Sequence, residues 1–473
     1  MLSMLRILTF KINYILQIMN NKLKRLFRSI GYLTIILTFI STSFAQKDDD
    51  KKITELKPYV DNFMNYLSKE DLSKIPPMLD SITSKQLNSY QLEMISTQLT
   101  FQYGKFNEIK EYKYKPYQKY DMLEIKCDYD RAVLGYRFVF DSVRKIAGFI
   151  IISKTDKDFY KNPEYVDTTS FTERKFDFGV EGWRLPGVLT IPNGEGPFPV
   201  IVLVHGSGPN DRDETLGPNK PFRDIAWGLA SRKIAVFRYD KRTLTHRNKL
   251  MQITDSITPF LETEQDALKA VDTLKTIPEI DINKIFVLGH SLGGTLLPRI
   301  AKADTSIYGM IVMAGSARPF EDIYYSQIKY ILSLDSVLTK EEKEELKKIE
   351  KQVKLVKSKK LSVNTSSKDL PMNINALYWL DLRNYKPQEV AKKLNKPMLI
   401  LQGHRDYQVT YEDFKLWEKA LISKKNVELK SYPKLNHLFM EGQGVSTPNE
   451  YNIEGHVSEL VIKAIAGWIH KQK

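Results

Sequence analysis

The chain has 473 residues, of which 42% are hydrophobic and 27% charged, so it is long enough for two domains with separate cores. Its formal net charge is +14, but residues 1–45 hold six cations and no acid, and 14 less 6 leaves +8 on the remainder. That charge is modest and scattered, which argues against nucleic-acid binding.

The first 45 residues have the pattern of a signal peptide. The basic segment 21–28 precedes an apolar segment, Leu33–Ile40, and the small residues Ser43 and Ala45 predict cleavage before Gln46. Because the apolar segment is short for a bilayer span, we expect no stable membrane anchor after cleavage. An uncleaved N-terminal anchor is the alternative.

Two further features bear on export. Residues 1–18 add an apolar patch that a signal peptide does not need, which suggests that translation starts at Met19. Cys127 is the single cysteine, so an intrachain disulfide is excluded. We therefore expect an exported protein of the bacterial periplasm or the extracellular space.

Residues 50–154 predict a small α+β domain in which helices precede an antiparallel meander. The predicted helices are Lys52–Leu67, Leu72–Ile82 and Ser84–Leu99, and the predicted strands are Glu108–Tyr114, Asp121–Tyr129, Leu134–Asp141 and Lys145–Ile152. The motifs Phe101-x-Tyr103-Gly104-x-Phe106 and 145–149 resemble a module of unknown function found before some exported bacterial hydrolases. No catalytic constellation is visible there, so substrate presentation, dimerisation, cell-wall attachment and plain stabilisation stay open.

After a polar linker, 155–171, residues 172–473 alternate strands and helices, which is typical of a doubly wound, mostly parallel sheet. The predicted strands are Thr172–Phe178, Trp183–Ile191, Val200–Val204, Ile234–Arg238, Lys284–Leu288, Gly309–Met313, Met398–Leu401 and Val427–Tyr432. The predicted helices are Phe222–Ser231, Leu261–Leu274, Leu292–Lys302, Tyr411–Leu421 and Glu454–His470.

The loop after the strand Val200–Val204 begins His205-Gly206-Ser207-Gly208. Glycines allow backbone amides to approach a substrate carbonyl, so the amide of Gly206 or Ser207 is a candidate oxyanion donor. Ser207 itself is a poor candidate nucleophile, because no helix follows it.

The segment Gly289-His290-Ser291-Leu292-Gly293 follows an apolar strand and opens a helix. A serine between glycines at such a turn is the nucleophile elbow of the α/β-hydrolases. This context predicts Ser291 as a nucleophile and the Leu292 amide as the second oxyanion donor.

Between 315 and 396 the alternation lapses, and helices are predicted at Arg318–Leu334, Thr339–Lys359 and Leu377–Arg383. An insertion after the strand that follows the elbow is where α/β-hydrolases carry a lid.

The serine needs a base and the base an orienting acid, in the chain order Ser, acid, His. Of the seven histidines, His437 alone follows the last predicted strand and precedes the last helix, whereas His404, His456 and His470 lie in the acid-bearing loop, at the start of that helix and near the terminus. Asp406 follows the preceding strand and is the predicted acid, with a turn or helix-capping role as the alternative. Glu412 and Asp413 are rivals expected to lie within the next helix.

Several stretches together resemble the EstD-type bacterial carboxylesterases: 205–214, 217–224, 238–242, 289–294 and Gln402-Gly403-x-x-Asp406-Tyr407-Gln408-Val409. The resemblance covers about 172–473. It implies an α/β-hydrolase fold and hydrolysis of a small-molecule ester through Ser291, Asp406 and His437, with no metal or cofactor. Asp211, Arg212, Asp213 and Arg242 would form a structural network beside the site, with an anion contact by Arg212 as the minority alternative.

We therefore expect a serine esterase, with a serine peptidase or an acyl thioesterase as alternatives because the same triad cleaves amides and thioesters. A non-catalytic binding module on a hydrolase scaffold is the remaining alternative, against which an intact triad argues. The pattern leaves the oligomeric state, the natural substrate and the acyl chain length open.

Overall fold

The computed structural model describes residues 48–87, 89–117, 120–157, 160–334 and 337–472, so the predicted leader lies outside the described residues. By its internal contacts the chain divides into two compact units, Met1–Asp158 and Phe159–Lys473. Within the described ranges, no helix is long and apolar enough to cross a membrane.

The first unit combines helices with a meander of antiparallel strands. Its longer helices are α1 (48–68) and α2 (Ser89–Tyr103), with a single turn at Thr83–Gln86. Its strands pair in sequence order: β1 (Phe106–Tyr117), β2 (Tyr120–Tyr129), β3 (Ala132–Phe140) and β4 (Ile146–Asp156). Their inward residues pack against α1, and Cys127 lies fully buried in that core.

The helix expected over Leu72–Ile82 is absent from this described stretch. Two 3-10 turns, Leu72–Lys74 and Pro76–Met78, take its place, and Leu79 then bridges to Ile146 of β4. Proline lacks an amide hydrogen and its ring crowds the preceding helical turn, so consecutive prolines at 76 and 77 prevent a continuous helix.

The second unit is built on a sheet with eight strands among the described residues. They are β5 (Phe171–Phe178), β6 (Leu185–Pro192), β7 (Phe198–Val204), β8 (Ala235–Tyr239), β9 (Ile280–His290), β10 (Ile307–Met313), β11 (Met398–Gly403) and β12 (Val427–Tyr432). The spatial order is β12-β11-β10-β9-β7-β8-β6-β5, and only the pairings of β6 with its two neighbours are antiparallel. This confirms the doubly wound, mostly parallel sheet predicted from the alternation, and it agrees with the α/β-hydrolase fold that the resemblance implies.

Helices cover both faces of this sheet. They are α3 (Pro221–Ala230), α4 (Gln265–Leu274), α5 (Leu292–Ala303), α10 (Tyr411–Leu421) and α11 (Glu459–His470). Alternate residues of β7 enter opposite cores: Val202 packs with α4, α5 and α10, whereas Ile201 packs with α3 and α11. Both faces of this parallel strand are therefore apolar, as its uninterrupted hydrophobic run requires.

Helical elements of the insertion follow β10. They are α6 (Phe320–Leu332), α7 (Lys340–Lys357), the 3-10 turns Ser367–Asp369 and Pro371–Asn373, α8 (Ala376–Leu382) and α9 (Pro387–Lys392). Shorter turns elsewhere in the unit are Arg242–Thr245, Arg247–Leu250, Thr254–Ser256, the π-helical Phe260–Glu264, and Pro448–Asn452. Trp379 of α8 is fully buried and stacks on Phe320, which gives the insertion its own small core.

The last helix begins at Glu459 rather than at Glu454. The intervening backbone is held in a non-helical conformation by polar side chains near α3, because Gly455 donates its amide to Asn219 and Val457 donates its amide to Asp224. The expected position of His456 at the opening of this helix is therefore wrong.

Candidate active site

Ser291 lies at a sharp turn between β9 and α5. Its backbone has φ 53° and ψ −117°, a conformation that costs a non-glycine residue free energy and persists only where the surroundings enforce it. The amide of Ser291 donates to the carbonyl of Met313 at 2.9 Å, which ties the turn to the end of β10. The strand, turn and helix of the predicted elbow are thus present.

Two glycines allow the elbow to form. A Cβ atom on Gly289 would lie 2.4 Å from the carbonyl carbon of Gly293, and one on Gly293 would lie 2.3 Å from the carbonyl oxygen of Val204. Side chains at either position would therefore displace the backbone of α5 from the strand ends. The sequence requires glycine here because of close backbone approach.

Asp406 and His437 form a buried hydrogen-bonded pair. His437 Nδ1 lies 2.7 Å from Asp406 Oδ2, and the two residues are 4% and 3% exposed. Asp406 also accepts the amides of Gln408 and Val409 at 2.8 and 2.9 Å and the side-chain amide of Gln402 at 3.0 Å. Because a carboxylate accepts from Nδ1–H, the Nε2 atom of His437 is left as the proton acceptor.

The elbow and this pair meet through His290. Its Nε2 atom donates to the carbonyl of His437 at 2.9 Å, and the two imidazole rings are 4.7 Å apart. Ser291, Gln408 and Val409 line one cavity, so the turn that holds Asp406 borders the serine. The Ser291 hydroxyl makes no hydrogen bond to any described residue, and its contact with His437 stays a prediction.

The glycine-containing loop after β7 lies against the serine. A Cβ atom on Gly206 would be 3.2 Å from Cβ of Ser291, whereas Ser207 and Leu292 both line the cavity. The Gly206 amide already donates to Glu214 Oε1 at 2.7 Å, so it is not free to bind an oxyanion. Of the two alternatives on this loop, the Ser207 amide is the one left without an acceptor among the described residues.

The cavity at Ser291 is small, about 60 Å³, and is roofed by the insertion. Residues from α6 and from the turn before α8 complete its lining: Phe320, Ile323, Tyr324, Gln327 and Met372. Thr295 and Ser316 also contribute, and none of the described lining residues is acidic or basic. The insertion therefore occupies the place expected of a lid.

A buried pair, Glu214 and His290, lies behind the site, and no pattern in the sequence predicts it. Glu214 Oε2 lies 2.8 Å from His290 Nδ1, and both residues are buried. Burial would lower the pKa of His290, but the adjacent Glu214 carboxylate more than offsets this and raises it. Burial opposes ionisation of Glu214 as well, yet His290 holds the pKa of that carboxyl below its ordinary value.

The rival acids have structural partners. Asp413 lies within α10, is fully buried, and accepts the amides of Ala317 and Arg318 at 3.0 and 2.9 Å as well as the Arg318 guanidinium. Glu412 pairs with the same guanidinium at 3.0 Å. Both rivals therefore anchor the entry to the insertion.

The other histidines have partners elsewhere. His205, His246, His404, His456 and His470 contact the Asp211 carbonyl, the Arg184 carbonyl, Ser431, Asp224 and the Arg232 carbonyl, respectively. Burial lowers the pKa of His205 to about 4, so this ring is neutral near pH 7.

The side chains of the predicted network beside the site, Asp211, Arg212, Asp213 and Arg242, bind partners outside that network. Arg212 makes a two-pronged contact with Asp240, Asp213 binds Arg238 at 3.0 Å, and Arg242 binds Asp266. Asp211 accepts the amide and hydroxyl of Thr215. Among these four residues, Asp213 donates its backbone amide to Asp211 at 3.2 Å, but their side chains bind other partners, so they do not form the predicted network with one another.

Comparisons with known proteins agree with this architecture. The family described as Serine aminopeptidase, S33 matches residues 197–443, which is more than half of the chain. The family described as Protein of unknown function (DUF3887) matches residues 60–149. Esterase EstD of Thermotoga maritima is 40% identical over 414 residues, which cover 86% of this chain and 94% of that relative.

Among solved structures, Est1E from Butyrivibrio proteoclasticus is 19% identical with a TM-score of 0.42, covering 63% of this chain and 98% of that protein. The acylaminoacyl peptidase of Pyrococcus horikoshii is 15% identical with a TM-score of 0.43, covering 78% of this chain and 56% of that one. The sequence comparisons confirm the resemblance found in the motifs. The chain belongs to the Esterase EstD family of carboxylic ester hydrolases, within the α/β-hydrolase fold.

Proposed function

We propose that the protein is an exported serine esterase that cleaves small-molecule carboxylic esters through an acyl-enzyme. Ser291 Oγ attacks the ester carbonyl, and His437 takes the hydroxyl proton and returns it to the departing alkoxide. Asp406 orients the imidazole and stabilises its charged form. The observation that carries this proposal is the buried Asp406–His437 hydrogen bond of 2.7 Å at the edge of the sheet where the strained Ser291 elbow lies.

The amides of Leu292 and Ser207 would stabilise the oxyanion of the tetrahedral intermediate. Leu292 is the first residue of α5, so its amide has no acceptor within the helix and lies at the positive end of the helix dipole. Water activated by His437 then hydrolyses the acyl-enzyme and releases the acid. Removing one oxyanion donor typically costs a factor of about 100 to 1,000 in rate.

Ester cleavage is favoured over aminopeptidase activity by the lining of the cavity. An aminopeptidase must compensate the ammonium group of its substrate with an acidic side chain, and the described lining is neutral. The curated relative at 40% identity is named an esterase. Peptide and thioester cleavage are therefore alternative outcomes of the assay below.

Export is part of the same proposal and rests on residues 1–45. N-terminal sequencing of protein recovered from the periplasm or medium should find Gln46 as the first residue. A mature protein that retains the apolar segment Leu33–Ile40 would contradict both the cleavage and the absence of an anchor.

The triad is tested with Ser291→Ala in the full chain. Turnover of p-nitrophenyl acetate and butyrate should fall on the order of a millionfold, and labelling by a fluorophosphonate probe should disappear. Ser333→Ala, which removes an exposed serine at the end of α6, should behave as the wild type. Retained turnover or labelling in Ser291→Ala would refute the assignment of the nucleophile.

The reaction class is tested with the wild-type chain on an ester, a thioester and an anilide that share one acyl group, and on an aminoacyl anilide. We expect the ester to be cleaved faster than the corresponding thioester and the anilide slowest, and an aminoacyl anilide to be a poor substrate. A kcat/KM for the aminoacyl anilide above that for the ester would assign a peptidase instead.

A further inference from the structure

A buried lysine contacts the loop that borders Ser291. Lys241 follows β8 and is 2% exposed, and its Nζ atom donates to the carbonyl of Gly206 at 2.7 Å and to Glu262 at 2.6 Å. Tyr378 of α8 donates to the other oxygen of Glu262 at 2.8 Å. Burying an ammonium and a carboxylate costs several kcal/mol in lost hydration, which the contacts must offset.

The carbonyl that Lys241 binds belongs to the peptide unit between Gly206 and Ser207. The carbonyl of Gly206 and the amide hydrogen of Ser207 lie in one rigid plane, so a donor on the carbonyl fixes the direction of the amide. A cation on the carbonyl oxygen also polarises that peptide and strengthens its N–H as a donor. Lys241 thus acts on the Ser207 amide through three covalent bonds.

Gly206 needs such an external constraint. A Cβ atom there would lie 3.2 Å from Cβ of Ser291, a tight contact that glycine avoids, and a glycine backbone is otherwise free to rotate. Glu214 holds the amide on one side of Gly206 and Lys241 holds the carbonyl on the other. Asn210 contributes a longer contact, 3.3 Å, to the same carbonyl.

We propose that Lys241 is a positioning residue for ester hydrolysis, which aims the Ser207 amide at the oxyanion by holding the Gly206 carbonyl. Glu262 and Tyr378 keep the ammonium group in place, and Tyr378 links this contact to the insertion that covers the cavity. This inference rests on the proposed function, because it presupposes an oxyanion that forms on the adduct of Ser291.

The test uses Lys241→Met and the double variant Lys241→Met/Glu262→Gln in the full chain. The single variant leaves a buried carboxylate without its cation, whereas the double variant removes both charges and keeps a partner for Tyr378. For each, kcat and KM are measured on p-nitrophenyl butyrate, together with the inhibition constant of a trifluoromethyl ketone of the same acyl chain. That ketone forms a tetrahedral oxyanion adduct with the nucleophilic serine.

We expect kcat/KM to fall roughly 10- to 100-fold in both variants and the inhibition constant to rise by the same factor, while KM changes less than about threefold. This split arises because the Ser207 amide binds charge that exists in the transition state and in the adduct but not in the bound ester. If Lys241 had a purely structural role, its substitution would lower the melting temperature without changing kcat/KM and the inhibition constant by the same factor.

A matched control is Arg242→Met/Asp266→Asn, which removes the neighbouring buried ion pair that does not touch Gly206. It should lose thermal stability but keep the wild-type inhibition constant. A folded double variant at Lys241 and Glu262 with wild-type kcat/KM and inhibition constant would overturn the inference. Activity that survives Ser291→Ala would instead overturn the proposed function.

Discussion

Replacing Glu214 probes how much the buried pair behind the elbow contributes to folding. Its carboxylate accepts the Gly206 amide at 2.7 Å and faces His290 at 2.8 Å, and His290 in turn donates to the carbonyl of His437 at 2.9 Å. Glu214→Ala removes the first two contacts, and burial then favours a neutral His290 because the carboxylate that raises its pKa is gone. The Gly206 amide and His290 Nδ1 are left buried without this partner, which costs about 1–3 kcal/mol for each group.

Glu214→Gln is the isosteric comparison. A glutamine can accept the Gly206 amide with its oxygen and donate its NH₂ to a neutral His290, which still donates through Nε2 to His437. Every hydrogen bond is then kept and both charges are lost together. We expect this variant to lose about 1 kcal/mol or less at pH 7, since replacing a whole buried pair is often close to neutral.

The assay is urea unfolding followed by tryptophan fluorescence. All five tryptophans, at positions 183, 227, 379, 417 and 468, lie in the second unit, so the signal reports that unit alone. The reasoning would be refuted if Glu214→Ala and Glu214→Gln lost the same unfolding free energy, or if both lost less than about 1 kcal/mol.

The pH dependence supplies an independent check of the same pair. The pKa of Glu214 is lowered in the folded protein. Its ionised form therefore adds to the free energy of unfolding above the ordinary pKa of 4.5, and this stabilisation is lost as the pH falls through the lower folded pKa. The pKa of His290 is raised in the folded protein. Its protonated form therefore adds to the free energy of unfolding below pH 6.5, and this stabilisation is lost as the pH rises through the higher folded pKa. The difference in unfolding free energy between wild type and Glu214→Gln should therefore be largest between pH 4.5 and 6.5.

Three further predictions concern the triad, the elbow and a buried acid. Asp406→Asn should keep its backbone contacts but lower kcat on p-nitrophenyl butyrate roughly 10⁴-fold, and a loss under tenfold would contradict its orienting role. Gly289→Ala should cost about 3 kcal/mol or more in thermal unfolding because its Cβ meets Gly293, whereas Gly467→Ala, in open space on α11, should gain about 0.5–1 kcal/mol. Burial raises the pKa of Glu264 from 4.5 to about 7, although the nearby Arg299 lowers it. The contribution of this group to the free energy of unfolding is therefore fully present below pH 4.5 and is lost as the pH rises through 7. Between pH 4.5 and 7, the wild type should lose on the order of 3 kcal/mol of unfolding free energy in urea relative to Glu264→Gln. The same dependence of unfolding free energy on pH in both proteins would contradict the raised pKa.

The elbow could be predicted because its determinants are local. An apolar strand, a Gly-x-Ser-x-Gly turn and an amphipathic helix follow one another within the chain, and each signal depends on neighbouring residues. Asp406 and His437 could be predicted because the chain order of this fold places their loops after consecutive strands. Their hydrogen bond follows from the parallel pairing of β11 and β12, which brings both loops to one edge of the sheet.

The contacts of Glu214 and Lys241 could not be predicted in the same way. Lys241 binds a carbonyl 35 positions earlier, and no periodicity encodes which loops meet above a sheet. The sequence predicts too early a start for α11 for a related reason, since Asn219 and Asp224 hold the preceding backbone through contacts more than 200 positions away. Tertiary hydrogen bonds override local helical preference at such ends.

Cys127 gives the first unit a reporter of its own. The chain has one thiol, and it is fully buried in the core formed by α1 and the meander. A thiol reagent can modify it only after that core opens, so the rate of labelling measures the opening of the first unit. Because the first unit contains no tryptophan, labelling and fluorescence can follow the two units separately in a single sample.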